Sequence, residues 1–229
     1  MSKMENRDAC GMFRSSEYML VVVMDATDHG ALGVEFNGAW LTSIAGLLSQ
    51  EAPSADDVVS AMREAHGGLD VRRYLHERAC YAALLLDGEG NATTLTCGDC
   101  RVGLQLASGR ILWVSRPHTY SESGVFRYGD QRPVSRHIVT RTLRARRGFE
   151  SPEMSRLKIE GDAQWIVATD GYWANVASAE QSRDDDASHA IIAPHAGVEL
   201  DTDCANYILK DYVRDTSPTD VSLMRYVAP

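Results

Sequence analysis

The chain has 229 residues, with 44% hydrophobic and 24% charged residues, and a formal net charge of −9 from 23 Lys+Arg and 32 Asp+Glu. This is the composition of a folded globular chain, not of a disordered, collagen-like or coiled-coil one, and it is read as one domain over residues 1–229. The acidic balance opposes bulk nucleic-acid binding. The longest apolar run, Met19 to Met24, is too short to cross a membrane, and the first eight residues have no signal-peptide core. The expected location is cytoplasmic, with the five cysteines reduced.

Asp8 to Phe13 and Glu17 to Asp25 read as a hairpin around Arg14-Ser15-Ser16. Trp40, Leu41, Ile44, Leu47 and Leu48 recur at helical spacing. Ser54-Ala55-Asp56-Asp57 has the form of a capping box opening a second helix that Gly67-Gly68 ends. A short helical piece is expected at Val71 to Leu75. Cys80 to Leu86 with Ala92 to Cys97, and Val102 to Leu106 with Ile111 to Val114, read as hairpins. Pro133 to Arg144 reads as a helix followed by a loop up to about Asp162. Trp165 to Ala168 is a buried strand before an acidic loop holding Asp184-Asp185-Asp186. Ala205 to Val213 reads as a helix and Val221 to Val227 as a last strand. Hairpins alternating with helices suit an α+β fold of two antiparallel sheets packed together with helices outside.

The aspartates stand at strand ends. Asp25 closes Leu20-Val21-Val22-Val23-Met24, Asp170 closes Trp165-Ile166-Val167-Ala168-Thr169, Asp99 follows Cys97-Gly98, Asp220 opens the last strand, and Asp8 lies in the first. An acid abutting a buried strand is costly unless something cationic compensates. Acids so distributed are either separate turn and cap residues or ligands of a shared cation. Oxygen-only ligands select Mg²⁺ or Mn²⁺.

Seven segments, in order, resemble the metal-dependent Ser/Thr protein phosphatases of type 2C. They are Asn6-Arg7-Asp8-Ala9; Val21 to Asp25 with Asp28-His29-Gly30; Cys97-Gly98-Asp99-Cys100-Arg101-Val102; Ser115-Arg116-Pro117-His118-Thr119; Ile138 to Leu143; Ala168-Thr169-Asp170-Gly171-Tyr172-Trp173; and Thr219-Asp220-Val221-Ser222-Leu223. The resemblance implies a four-layer α-β-β-α sandwich with two Mn²⁺ or Mg²⁺ ions, and a third held more weakly, between the sheets. It implies Asp25 as the bridging ligand, helped by the Ala26 carbonyl, with Asp170 and Asp220 completing one shell. Asp99 with Asp170 would hold the third ion, and Asp8 would act directly or through water. His29 would be the general acid and Lys3 the phosphate anchor. The implied substrate is a protein phosphorylated by a Ser/Thr kinase, with no nucleic-acid or membrane partner.

Four positions depart from the family's pattern. Arg7 replaces an acid or amide, Ala26-Thr27 lengthen the loop before His29, Lys3 stands for an Arg, and Thr219 falls at the ligand position unless the alignment slips by one to Asp220. These departures frame the alternative, a degenerate phosphatase-fold module that binds a phosphoprotein or regulatory partner without turnover.

Cys97-x-x-Cys100 has a redox or half-zinc spacing with no second Cys pair; in the resembling motif Cys100 replaces a Ser. His118 is expected to pack or to bond to backbone, and Trp40, Trp165 and Trp173 to be core. Arg132, Arg136, Arg141, Arg144, Arg146 and Arg147 read as a solvated helix face, or as a docking patch for a phosphorylated or acidic partner.

Overall fold

The computed structural model describes residues 6–27, 31–48, 51–122, 138–158, 163–176, 186–193, 197–202 and 206–211. Strands β1 (Ala9–Arg14) and β2 (Tyr18–Ala26) form the expected hairpin, Ala9 opposite Met24. Helices α1 (Gly33–Leu47) and α2 (Ala55–Gly67) follow. Then come β3 (Ala79–Asp87), β4 (Asn91–Cys97), β5 (Arg101–Gln105), β6 (Ile111–Trp113), β7 (Glu153–Lys158) and β8 (Gln164–Ala168). Helix α3 (Asp170–Val176) precedes β9 (Ser188–Ala193), β10 (Gly197–Thr202) and β11 (Asn206–Asp211).

Two sheets result, ordered β11-β1-β2-β3-β4-β7 and β10-β9-β8-β5-β6. Every pairing is antiparallel except β1 with β11. The period-2 alternation of side chains divides the first sheet's residues between two cores. Val22, Met24, Ala79 and Tyr81 face α1 and α2, meeting Phe36, Trp40, Leu41, Ile44 and Met62. Cys10, Val21, Val23, Cys80 and Ala82 face the second sheet, meeting Val102, Trp165, Val167 and Ala190. This is the expected α+β sandwich. Trp40 is fully buried and its indole N–H donates to Met62 O at 3.1 Å; such a residue cut to Ala costs about 3–5 kcal/mol.

Helix α2 starts as its sequence demands. Ser54 Oγ accepts from Asp57 N–H at 3.2 Å, and Asp57 Oδ2 accepts from Ser54 N–H at 2.9 Å. A cap of this kind is worth roughly 0.5–2 kcal/mol.

Several expectations are corrected. Within the Pro133 to Arg144 stretch, residues 138–144 form no helix; Val139 bridges to Thr119 and Leu143 to Ala79. The β-branched Val139, Thr140 and Thr142 favour that extended form, and residues 133–137 lie outside the described ones. The stretch from Ala205 to Val213 holds strand β11, not a helix. The open edge of β1 takes it as a parallel neighbour, and Lys210 is buried with Nζ donating to Ala45 O at 2.5 Å. Strand β7 occupies part of the expected loop. It is an edge strand with little buried surface, so it carries almost no apolar signal. Helix α3 and strands β9 and β10 occupy described parts of the stretch read as an acidic loop. Val71 to Leu75 forms consecutive turns instead of a helical piece, with Val71 and Leu75 exposed. The expected last strand, Val221 to Val227, lies outside the described residues.

Candidate metal centre

Asp8 precedes β1 and Asp25 stands at the end of β2. Alternation places both on the inter-sheet face, with Cys10, Val21 and Val23. Asp25 pairs with Cys80 across the ladder. Asp99 lies in the turn from β4 to β5, and Asp170 opens α3.

All four acids lie within electrostatic reach of one thiol, Cys100. Cys100 is fully buried, and its pKa is pushed well up by burial first, then by the charges of Asp25, Asp99, Asp8 and Asp170. The neighbouring Cys80 thiol is pushed up by burial, by Asp99, by Cys100 and by Asp25, and it hydrogen-bonds Asp99. Both cysteines are free. Neutral thiols therefore form the floor beneath the carboxylates.

Backbone and side-chain bonds fix the acids. Asp8 is fully buried; its N–H donates to Asn6 Oδ1 at 2.8 Å and its Oδ2 accepts from Thr169 Oγ1 at 3.1 Å. Thr169 Oγ1 also accepts from Ser188 N–H at 3.0 Å, so this hydroxyl links the first strand to the start of α3. Gly171 follows Asp170 at a point where a Cβ would lie 1.9 Å from Asp186 O; only glycine fits. Gly98 precedes Asp99 with φ +97, and a Cβ there would lie 2.3 Å from Cys80 Sγ. The turn needs the left-handed conformation and the close approach together.

Around this turn, His118 bonds to backbone as expected. Its Nδ1 accepts from Gly98 N–H at 3.0 Å, and its Nε2 lies 3.0 Å from Glu153 Oε2 and 3.3 Å from Arg141 Nη1. Arg101 lies between the rings of Trp113 and Trp173, 4.9 and 5.1 Å from their centroids, and burial lowers its pKa to about 10. Trp40 and Trp165 are core, but Trp173 is half-buried and its Nε1–H donates to Asp99 O at 2.8 Å.

Arg7 donates its N–H to Asp186 Oδ2 at 2.8 Å and accepts from Asn37 Nδ2 at 3.1 Å. Ala26 is buried at the end of β2. Lys3, His29, Thr219 and Asp220 lie outside the described residues. Cys97 and Cys100 face different cores, Cys97 the helices and Cys100 the second sheet, so they do not form a joint redox or zinc pair. Sequence reasoning missed Cys80, Thr169 and Trp173 as parts of this site. Trp173 stood in a quoted motif, but nothing in its spacing assigns the bond to Asp99.

The donor chemistry suits a hard cation, since the acids at this end of the inter-sheet space offer carboxylate oxygens. Among the described residues, however, no three His, Cys, Asp or Glu side chains are arranged to hold a metal ion. The described acids supply the charge without a closed ligand shell.

The sequence matches no family model and no curated protein. Solved structures do match. A serine/threonine phosphatase of S. agalactiae is 15% identical, with 76% of this chain and 77% of that chain covered and a TM-score of 0.61. The catalytic domain of the serine threonine protein phosphatase PstP, in complex with two manganese ions, is 15% identical, with 86% and 94% covered and a TM-score of 0.62. RsbX in complex with magnesium is 15% identical, with 84% and 89% covered and a TM-score of 0.56. The chain thus has the fold of the metal-dependent Ser/Thr protein phosphatases. Among the described residues, no helix is long and apolar enough to cross a membrane.

Proposed function

We propose that this chain is a metal-dependent phosphomonoester hydrolase acting on phosphoserine and phosphothreonine in proteins. The placement of four acids at one end of the inter-sheet space carries the reading: Asp25 opposite Cys80, Asp8 bonded to Thr169 beside Asp170, and Asp99 tied by Trp173 to the helix that Asp170 opens; the fold likeness supports it. In this reading residues 1–229 are one catalytic domain working in the cytoplasm on the products of a Ser/Thr kinase.

Asp8, Asp25, the Ala26 carbonyl, Asp99, Asp170 and Asp220 would hold two Mn²⁺ or Mg²⁺ ions and a weaker third. Bound there, such ions lower the pKa of water toward neutrality and offset charge on the phosphoryl oxygens. The protein's own residues do the rest. Lys3 pairs with the phosphoryl group as a point charge, without the fork of an Arg. His29 holds the proton that the leaving alkoxide needs. The buried Cys80 and Cys100 floor keeps the carboxylates in a dry setting where their charge acts strongly.

Hydrolysis of an aryl phosphate with and without Mn²⁺ tests the reading. Activity that needs Mn²⁺ and disappears in chelator is expected; activity unchanged in excess chelator overturns the reading. The second reading, binding without turnover, is favoured by Arg7, whose backbone is engaged by Asp186 and Asn37 where the resemblance has an acid or amide. Mn²⁺ binding without hydrolysis would select it.

A further inference from the structure

Ala79 and Leu143 exchange both backbone hydrogen bonds, at 3.1 and 2.8 Å, in an antiparallel bridge. That pairing sets Arg78 directly opposite Arg144, a placement in which like charges repel. Arg146 and Arg147 follow in a turn closed by Arg147 N–H on Arg144 O at 3.2 Å. Arg144 is held below its ordinary pKa by burial and then by Arg78, Arg147 and Arg146. Its Nε donates to a neutral group, Thr142 Oγ1, at 2.6 Å.

Among the described residues none of these four arginines has a salt-bridge partner, whereas Arg73 takes Glu35 and Arg141 takes Glu150. The chain carries 32 acids against 23 bases, so partners were abundant. A cluster left uncompensated in such a chain is a local positive field on an acidic protein.

Its position relates it to the candidate site. Ala79 and Leu143 belong to the core under the helices, and Cys80 to the core between the sheets. Alternation therefore turns Arg78 and Arg144 toward the face that carries Cys80 and Asp25. Arg78 O also accepts the N–H of Thr27, two residues after Asp25, at 3.0 Å. The cluster lies at the end of the sheet where the acids gather. Arg146 and Arg147 extend it outward into solvent.

We propose that Arg78, Arg144, Arg146 and Arg147 dock anionic residues that flank the phosphorylated residue of a protein substrate, so that acidic or multiply phosphorylated segments are preferred. This rests on the phosphatase reading and names the substrate class for it. Guanidinium groups suit carboxylate and phosphate oxygens through paired hydrogen bonds, and clustered arginines recognise such motifs. An extended polyanion such as nucleic acid would meet the repulsion of the net −9 chain beyond the patch.

The test compares two phosphothreonine peptides of equal length, one with acidic and one with neutral flanks, on the wild type and on an Arg146→Glu/Arg147→Glu variant. Both positions are exposed, so the variant keeps the fold. The wild type should favour the acidic peptide through KM, and more so at low salt. The variant should lose about tenfold on that peptide and little on the neutral peptide or an aryl phosphate. Equal KM values for both peptides in the wild type, or equal losses on both in the variant, overturn the proposal. Fluorescence anisotropy separates the two levels. If no peptide turns over but the acidic one binds and the variant releases it, the docking site stands and the hydrolase reading falls. If a short single-stranded DNA displaces the acidic peptide and binds more tightly, the patch is a nucleic-acid surface and the proposal is overturned.

Discussion

The indole N–H of Trp173 donates to the backbone carbonyl of Asp99 at 2.8 Å, and this bond ties the helix that Asp170 opens to the turn that holds Asp99. Two acids from distant parts of the chain are thus set against each other by a third residue that contributes no charge. Trp173→Phe should keep a ring over Arg101 and lose only the donor. The expected cost is about 1 kcal/mol in chemical denaturation, with a further loss of Mn²⁺ affinity as Asp99 loosens. Unchanged Mn²⁺ affinity would separate the bond from the metal centre.

The four acids around Cys100 repel one another when no cation is present. Millimolar Mn²⁺ should therefore raise the melting temperature by mass action on the native state. Asp25→Asn and Asp170→Asn should each remove most of that shift and most of the turnover. In metal-free protein the same variants should be as stable as the wild type or more so, since each relieves repulsion. Differential scanning fluorimetry with and without Mn²⁺ reads both effects.

Gly98 has neither the space nor the backbone conformation for a side chain. Gly98→Ala puts a methyl group against Cys80 Sγ and strains a residue at φ +97. Destabilisation of about 2–4 kcal/mol is expected. Cys80→Gly in the same chain should recover only the side-chain part of the clash, since the Cys80 Cα would still lie 2.9 Å from the new methyl group and the conformational part of about 1 kcal/mol remains. A double variant whose loss equals the sum of the Gly98→Ala and Cys80→Gly losses would show that contact with Cys80 is not the cause.

Glu35 on α1 is held at a pKa of about 2 by its hydrogen bonds to Arg73 and Tyr74. Its folded value lies below the unfolded 4.5, so the unfolded state binds more protons in the interval between them. The stabilisation is complete above about pH 4.5 and fades as the pH falls toward about 2. The stability gap between wild type and Glu35→Gln should close over that window. A gap that persists unchanged at pH 2 would mean that the ion pair does not report on folding.

The sequence made β2 legible because its apolar run ends in an acid, and α2 legible because Ser54 and Asp57 write its first turn. The placement of Asp8, Asp25, Asp99 and Asp170 at element ends was legible for the same reason, each being charge set next to a buried strand; their role as ligands belongs to the proposal. Strand β11 was not, because Asn206 to Asp211 lacks a strong local pattern; the open edge of β1, far away in the chain, decides its conformation. The helix expected before Arg144 failed likewise, since Leu143 answers to Ala79 and not to its own neighbours. Cys80 showed no signal because its role comes from where Gly98 lets it lie. Lys3, His29 and Asp220 are sequence expectations outside the described residues.

The parallel pairing of β1 with β11 has a consequence for synthesis. Ala9–Arg14 leaves the ribosome nearly two hundred residues before Asn206–Asp211, a delay of roughly 10–40 s at ordinary elongation rates. During that time β2 covers one edge of β1 while the other offers unpaired amides beside Phe13 and Met12. Such an edge recruits any extended segment nearby. Ribosome stalling between residues 30 and 200 should therefore yield nascent chains that bind holdase chaperones, and release of the remainder should free them.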